Sequence, residues 1–252
     1  MNDEPDLARR QLLALPVALA AGSGARAAAA PPASGHQAEW ATPATITLSA
    51  TLRHWLYLPP GHAEHPEQRW PLIIFLHGSG ERGRDLAKVR AHGLPKLIEA
   101  GQNLPAIVVS PQCEDGEEWD PHLLHAMLQP LIAQWRVDAR RVTATGLSMG
   151  GGGCWSWAMS YPQDLAGIAP VCGYGSDVRI ERMRAVPVRA YHGAADTVVP
   201  LAVHQQLVNG LREAGGQAEL TVYPGVGHDA WNPAYADPAL VAWLLSRTRL
   251  AS

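Results

Sequence analysis

Cysteine is scarce in this chain: three residues in 252, Cys113, Cys154 and Cys172. Three are too few for a disulfide scaffold, and their spacing matches no zinc pattern. An excess of one charge is also lacking. Twenty Lys and Arg stand against 23 Asp and Glu, a formal net charge of -3. That balance argues against nucleic acid as the main partner, which would favour a basic face. Charged residues make up 17 % and hydrophobic ones 47 %, which excludes disorder over most of the length. No repeat of fixed period is visible. What is present has the size of one large α/β domain or of two small ones.

Residues 1–27 read as an export signal. Arg9-Arg10 precedes the apolar run 12–21, which is too short to span a bilayer and suits a signal-peptide core. Ala25-Arg26-Ala27 offers small residues where a signal peptidase reads, and the arginine pair permits the twin-arginine route. Asp3, Glu4 and Asp6 make this start less basic than usual, so an Ala-rich extension is the competing reading. Residues 28–44, with Pro31-Pro32-Ala33-Ser34-Gly35, form a linker, and the domain runs over 45–252. The expected address is the periplasm or the exterior, or the cytoplasm if the start is not a signal. No stable membrane insertion is expected after cleavage.

The remainder alternates between strand and helix patterns. Residues 45–49 and 54–58 alternate well enough for two antiparallel strands, closed by Pro59-Pro60-Gly61. Apolar runs at 71–76, 106–109, 141–145, 167–171 and 186–191 lack alternation, as strands buried on both faces do, and 218–223 is a final candidate. Helical patterns fall at 86–100, 122–135, 151–161 and 201–214, with a last one after Asp237. The expectation is an α/β fold: one mostly parallel eight-stranded sheet with helices on both faces and no large cap. Ligands in such sheets bind at the carboxyl ends of the strands.

Four of those ends carry groups suited to acyl transfer. Gly146-Leu147-Ser148-Met149-Gly150 lies between a strand and a helix, the context in which G-x-S-x-G lifts a serine hydroxyl out of the sheet. Asp196 follows the strand at 186–191, where an Asp can orient a histidine, although a turn or cap is the commoner use of that residue type. His228, in the loop Gly225-Val226-Gly227-His228, follows the last strand; Asp229 beside it cannot easily turn its carboxylate onto the same ring. The order Ser148, Asp196, His228 is that of the α/β-hydrolases. In His77-Gly78-Ser79-Gly80-Glu81-Arg82-Gly83, the Ser79 N–H joins the Met149 N–H as the expected oxyanion hole, with His77 structural.

The chain from about 45 to 248 thus resembles an α/β-hydrolase of the compact serine-esterase type. The segment 77–83, Pro111-Gln112-Cys113, Val171-Cys172-Gly173 and His228 with Trp231 and Asn232 are similar to the "predicted peptidase" and feruloyl-esterase-like branch, near polyhydroxybutyrate depolymerases. The resemblance implies Ser148 as nucleophile, His228 as general base, Asp196 as its orienter, and an acyl-enzyme on carboxylic esters, with no metal or cofactor required. The substrate is then a small-molecule or polymer-linked ester. The alternatives are a serine peptidase acting on short peptides and a non-catalytic carbohydrate- or polymer-binding protein. Trp119, Tyr174 and Trp231 are candidate substrate contacts, or loop packing. The acidic run Glu114, Asp115, Glu117, Glu118 and Asp120 reads as a solvated surface that Arg82 and Arg84 could balance. No disulfide is expected, because the usual strand order sets Cys113 and Cys172 three spacings apart, about 14 Å.

Overall fold

The computed structural model describes residues 50–249, all within one unit, Leu48–Ser252. The expected signal, the linker and the strand expected over 45–49 lie outside the described residues.

Strands β2 (Trp70–Leu76), β3 (Ile107–Pro111) and β5 (Gly167–Val171) are buried at every position, as their unbroken apolar runs require. With β1 (His54–Tyr57), β4 (Val137–Leu147), β6 (Val188–Gly193) and β7 (Ala218–Tyr223) they form a seven-stranded sheet ordered β1-β3-β2-β4-β5-β6-β7. β1 runs antiparallel to β3, and every other pairing is parallel. Seven of the eight expected strands are therefore in the sheet, and the eighth is the one at 45–49.

The period-two alternation of a strand divides the core in two. Leu72, Ile74 and Leu76 join Leu124, Trp155, Trp157 and Leu207 on one face, while Ile73 and Phe75 join Leu94, Tyr235 and Leu240 on the other. The first face carries α2 (Pro121–Trp135), α3 (Met149–Ser160) and α4 (Leu201–Glu213). The second carries α1 (Gly93–Glu99), α5 (Trp231–Ala236) and α6 (Pro238–Ser246). Asp120 and Asp237 begin α2 and α6 by accepting the His122 and Ala239 N–H groups, each ahead of a proline in the first turn.

The helix expected over 86–100 is two pieces, a 3-10 turn at Leu86–Ala91 and then α1. His92 lies between them, and Gly93, which opens α1, sits at φ 61°, where a Cβ would strike the Phe75 ring, so the chain breaks where the core presses on it. The short helix α5 had no legible signal.

From β2 the chain moves out to β3 on one side and returns to β4 on the other. The crevice outside the carboxyl ends of β2 and β4 is the topological switch point, where such sheets hold ligands. The ends that open onto it are Leu76-His77 and Leu147-Ser148.

Candidate active site

Ser148 stands between β4 and α3 at φ 52°, ψ −116°, a backbone region that side chains other than glycine rarely occupy. Its N–H donates to the Val171 carbonyl at 2.8 Å, and its own carbonyl accepts the Gly152 N–H at 3.0 Å. The surrounding glycines are forced by close backbone approach. A Cβ on Gly146 would lie 2.6 Å from both the Leu76 and Gly150 carbonyl oxygens, and one on Gly150 would collide with the Leu76 carbonyl. On Gly151 it would meet Gly173 and the Val171 carbonyl at 2.8 Å, and on Gly153 the Trp119 Cβ at 2.8 Å. The start of α3 therefore rests directly on the ends of β2 and β5, which offsets the poor helix propensity of four consecutive glycines.

The three separated side chains expected to meet do so. The Ser148 Oγ lies 2.8 Å from His228 Nε2, and His228 Nδ1 lies 2.7 Å from Asp196 Oδ2. Asp196 Oδ1 accepts the Val198 and Val199 N–H groups, each at 2.9 Å. Burial alone would raise the Asp196 pKa. The hydrogen bonds from His228, Val199 and Val198 outweigh it and hold the carboxylate below its ordinary value. Asp229 faces elsewhere, accepting from Asn232 Nδ2 at 3.3 Å.

The loop after β2 is braced by three side chains. Glu81 Oε2 accepts the Gly78 N–H at 2.9 Å, and the Gln112 amide donates to the Glu81 and Asp85 carbonyls. His77 Nε2 accepts the Cys113 N–H at 2.9 Å, while Nδ1 donates to the Gly78 carbonyl. Both ring nitrogens are thus used. Burial first, then the Arg82 charge, lowers the His77 pKa to about 4. The sequence placed Glu81 and Gln112 in two resembling segments but gave neither a role, since both act through backbone groups that only the folded loop brings near. Ser79 and Met149 line one cleft of about 420 Å³ with Ser148, Arg82, Glu118 and Tyr174. Met149 opens α3, where the first N–H groups of a helix have no intrahelical acceptor.

The aromatic expectations divide. Tyr174 lines the cleft, its hydroxyl donating to Glu118 Oε2 at 2.9 Å. Trp231 packs edge-on against the His228 ring with centroids 5.4 Å apart. Trp119 is corrected: it is buried at 6 % exposure, its indole N–H donating to the His77 carbonyl at 3.0 Å. It braces the floor beneath Gly153 and does not reach the cleft. Arg82 and Arg84 pair with Glu118 and Glu114.

Cys113, Cys154 and Cys172 are buried free thiols, and the sheet order sets β3 and β5 three strand spacings apart. Cys172, His192 and Asp196 offer donor atoms within 4.8 Å of one another. The Asp196 oxygens already hold His228 and two backbone amides. Burial, and then the Asp196 charge, raises Cys172 to about 12 and keeps it a thiol, a form that ligates metals poorly.

Residues 117–239 match the model of the Dienelactone hydrolase family. The chain is 33 % identical over 132 residues to "Probable carboxylesterase Os04g0669500" of Oryza sativa subsp. japonica, covering 50 % of this chain and 49 % of that protein. It is 30 % identical over 115 residues to "Carboxylesterase SOBER1" of Arabidopsis thaliana, covering 43 % and 50 %. The chain thus spans about half the length of the curated relatives it matches. Among solved structures, one described as a thermostable esterase superposes with a TM-score of 0.68 at 29 % identity, over 79 % of this chain and 60 % of that one.

Proposed function

We propose that this chain, an α/β-hydrolase by fold, is a serine hydrolase that cleaves carboxylic esters through an acyl-enzyme. The observation that carries the reading is one continuous line of hydrogen bonds, Ser148 Oγ to His228 Nε2 at 2.8 Å and His228 Nδ1 to Asp196 Oδ2 at 2.7 Å. As Ser148 Oγ attacks the ester carbonyl, His228 Nε2 takes its proton. Asp196 stabilises the imidazolium and fixes the tautomer that presents Nε2 as the base. The N–H groups of Met149 and Ser79 receive the oxyanion, each such donor typically contributing about 3 kcal/mol in the transition state. His228 then protonates the departing alkoxide. Water repeats the sequence on the acyl-enzyme, releasing the acid and restoring Ser148.

The names of the relatives favour esters over peptides as the bond cleaved. Tyr174 and the apolar wall of Val198, Val199, Pro200 and Val203 are the proposed acyl contacts, with Trp231 steadying the base. The proposed place of action is the periplasm or the exterior. It rests on the pattern at 9–27, and an exported product beginning after Ala27 would support it.

A serine-directed fluorophosphonate should label the wild type and spare Ser148→Ala, and p-nitrophenyl acetate turnover should vanish with the label. Equal labelling of both proteins would refute the reading.

A further inference from the structure

Behind Asp196 lies a buried line of polar rings that the cycle above leaves unused. His192 on β6 and His204 on α4 are both fully buried. At the far end, Trp155 on α3 donates its indole N–H to His204 Nε2 at 3.1 Å. An indole nitrogen can only donate, so His204 Nε2 must accept and the ring's one proton sits on Nδ1. That nitrogen faces His192 Nδ1 at 2.9 Å, so His192 must accept there and carry its own proton on Nε2. The His192 Nε2–H then donates to the Val199 carbonyl at 2.8 Å, with Asp196 Oδ2 3.2 Å away. Val199 is also the residue whose N–H holds Asp196 Oδ1. One donor-only indole thus sets the tautomers of two imidazoles in series.

We propose that Trp155, His204 and His192 form a tautomer lock in which His192 is a positioning residue for Asp196, clamping the turn that holds the carboxylate while adding no positive charge beside it. A cationic His192 would need a proton on Nδ1, directly against the His204 Nδ1–H, and His204 cannot yield by moving its proton to Nε2 because Trp155 points there. The charge of Asp196 is therefore left to His228. The groups facing His192 are His204, Asp196 and the thiol of Cys172. Burial holds His204 down at about 3 and keeps Cys172 neutral, so no neighbour supplies a competing cation. Core histidines that merely satisfy each other would not need to end on the acid of a proton-transfer line.

The inference rests on the esterase reading, and its test has a part that does not. Long-range proton–nitrogen correlation of the histidine rings in the full chain at pH 7 should find His204 as the Nδ1–H tautomer and His192 as the Nε2–H tautomer. The downfield His228 Nδ1 proton should move in His192→Phe and return in His192→Gln, which restores an N–H donor that cannot gain charge. With p-nitrophenyl acetate, His192→Phe should lower kcat about tenfold to a hundredfold, the range spanned by one hydrogen bond near a charged group, with KM unchanged and His192→Gln recovering most of the loss. Should His192→Phe fail to fold, Trp155→Phe releases the lock from its other end and should let the His192 tautomers mix. The opposite tautomers, a cationic ring at pH 7, or a folded His192→Phe with an unmoved His228 proton and wild-type kcat would overturn the proposal. Turnover that survives Ser148→Ala would instead overturn the esterase reading and leave the ring spectra to decide the lock.

Discussion

Asp196 is a carboxylate with no exposed surface on its side chain, and each oxygen has a separate task. Oδ1 holds two backbone amides and Oδ2 holds His228. Asp196→Asn divides those tasks. The amide oxygen can keep the Val198 and Val199 N–H groups, so the fold should survive and the melting temperature should change by only a few degrees. The amide NH2 would face His228 Nδ1 as a donor and reverse the tautomer. Steady-state kinetics on p-nitrophenyl acetate should therefore give a kcat lower by about 10⁴-fold with KM little changed. Ser148 and Asp196 were legible in the sequence because each follows a strand announced by an apolar run, and His228 because it completes the order Ser, Asp, His in a glycine-flanked loop after the weaker strand candidate at 218–223. For Trp119 the sequence left substrate contact and loop packing both open, for the complementary reason. A loop position tells which rim a residue is near, but the direction of its ring is decided by packing, here against Gly153 and the His77 carbonyl.

At the level of elements, the decisive contact is α3 against the end of β2. Helix propensity argues against Gly150 to Gly153, and only the lack of a Cβ lets the two backbones touch. Gly150→Ala should cost about 4 kcal/mol or more, in the range of severe backbone clashes, because the colliding partner is a main-chain carbonyl that no rotamer change can move. A lowered urea midpoint would register it.

The elements are also joined by neutral imidazoles, His77 between the ends of β2 and β3 and His204 between α4 and β6. In the unfolded chain both rings take a proton near pH 6.5; in the fold burial holds them neutral to about 4 and about 3. Between those values the unfolded state binds more protons, so stability falls as pH falls. The loss should reach about 3 kcal/mol per ring by pH 4. Below that, protonation of Asp196, whose folded value is depressed, removes more. Melting temperatures recorded from pH 7 to pH 4 should drop steeply, and a flat profile would contradict the buried-neutral assignment. Strands β2, β3 and β5 were readable from the sequence because burial on both faces leaves an unbroken apolar run, whereas β7 is half-exposed and alternates. The break at Gly93 was not, because the ring that forces it comes from β2.

For the molecule as a whole, two cores on opposite faces of the sheet leave one rim for chemistry. Residues 172–187, between β5 and β6, hold a single short 3-10 turn at Ile180–Met183 and no larger insertion. The cleft is correspondingly open and, at about 420 Å³, near the lower end of ligand sites. Across a p-nitrophenyl ester series, kcat/KM should be highest for acetate to butyrate and at least tenfold lower for palmitate. A preference for long chains would require a longer apolar channel than this cleft of about 420 Å³ provides.

The seating of Ser148 between two strand ends has a thermal consequence. A nucleophile on a free loop would drift out of alignment well before the scaffold melted, and activity would fade first on warming. Here the backbone that carries the Ser148 hydroxyl can shift only if the central strands part. Heat inactivation and loss of secondary structure should therefore run together along one sigmoid, making residual activity a faithful thermometer of the whole domain.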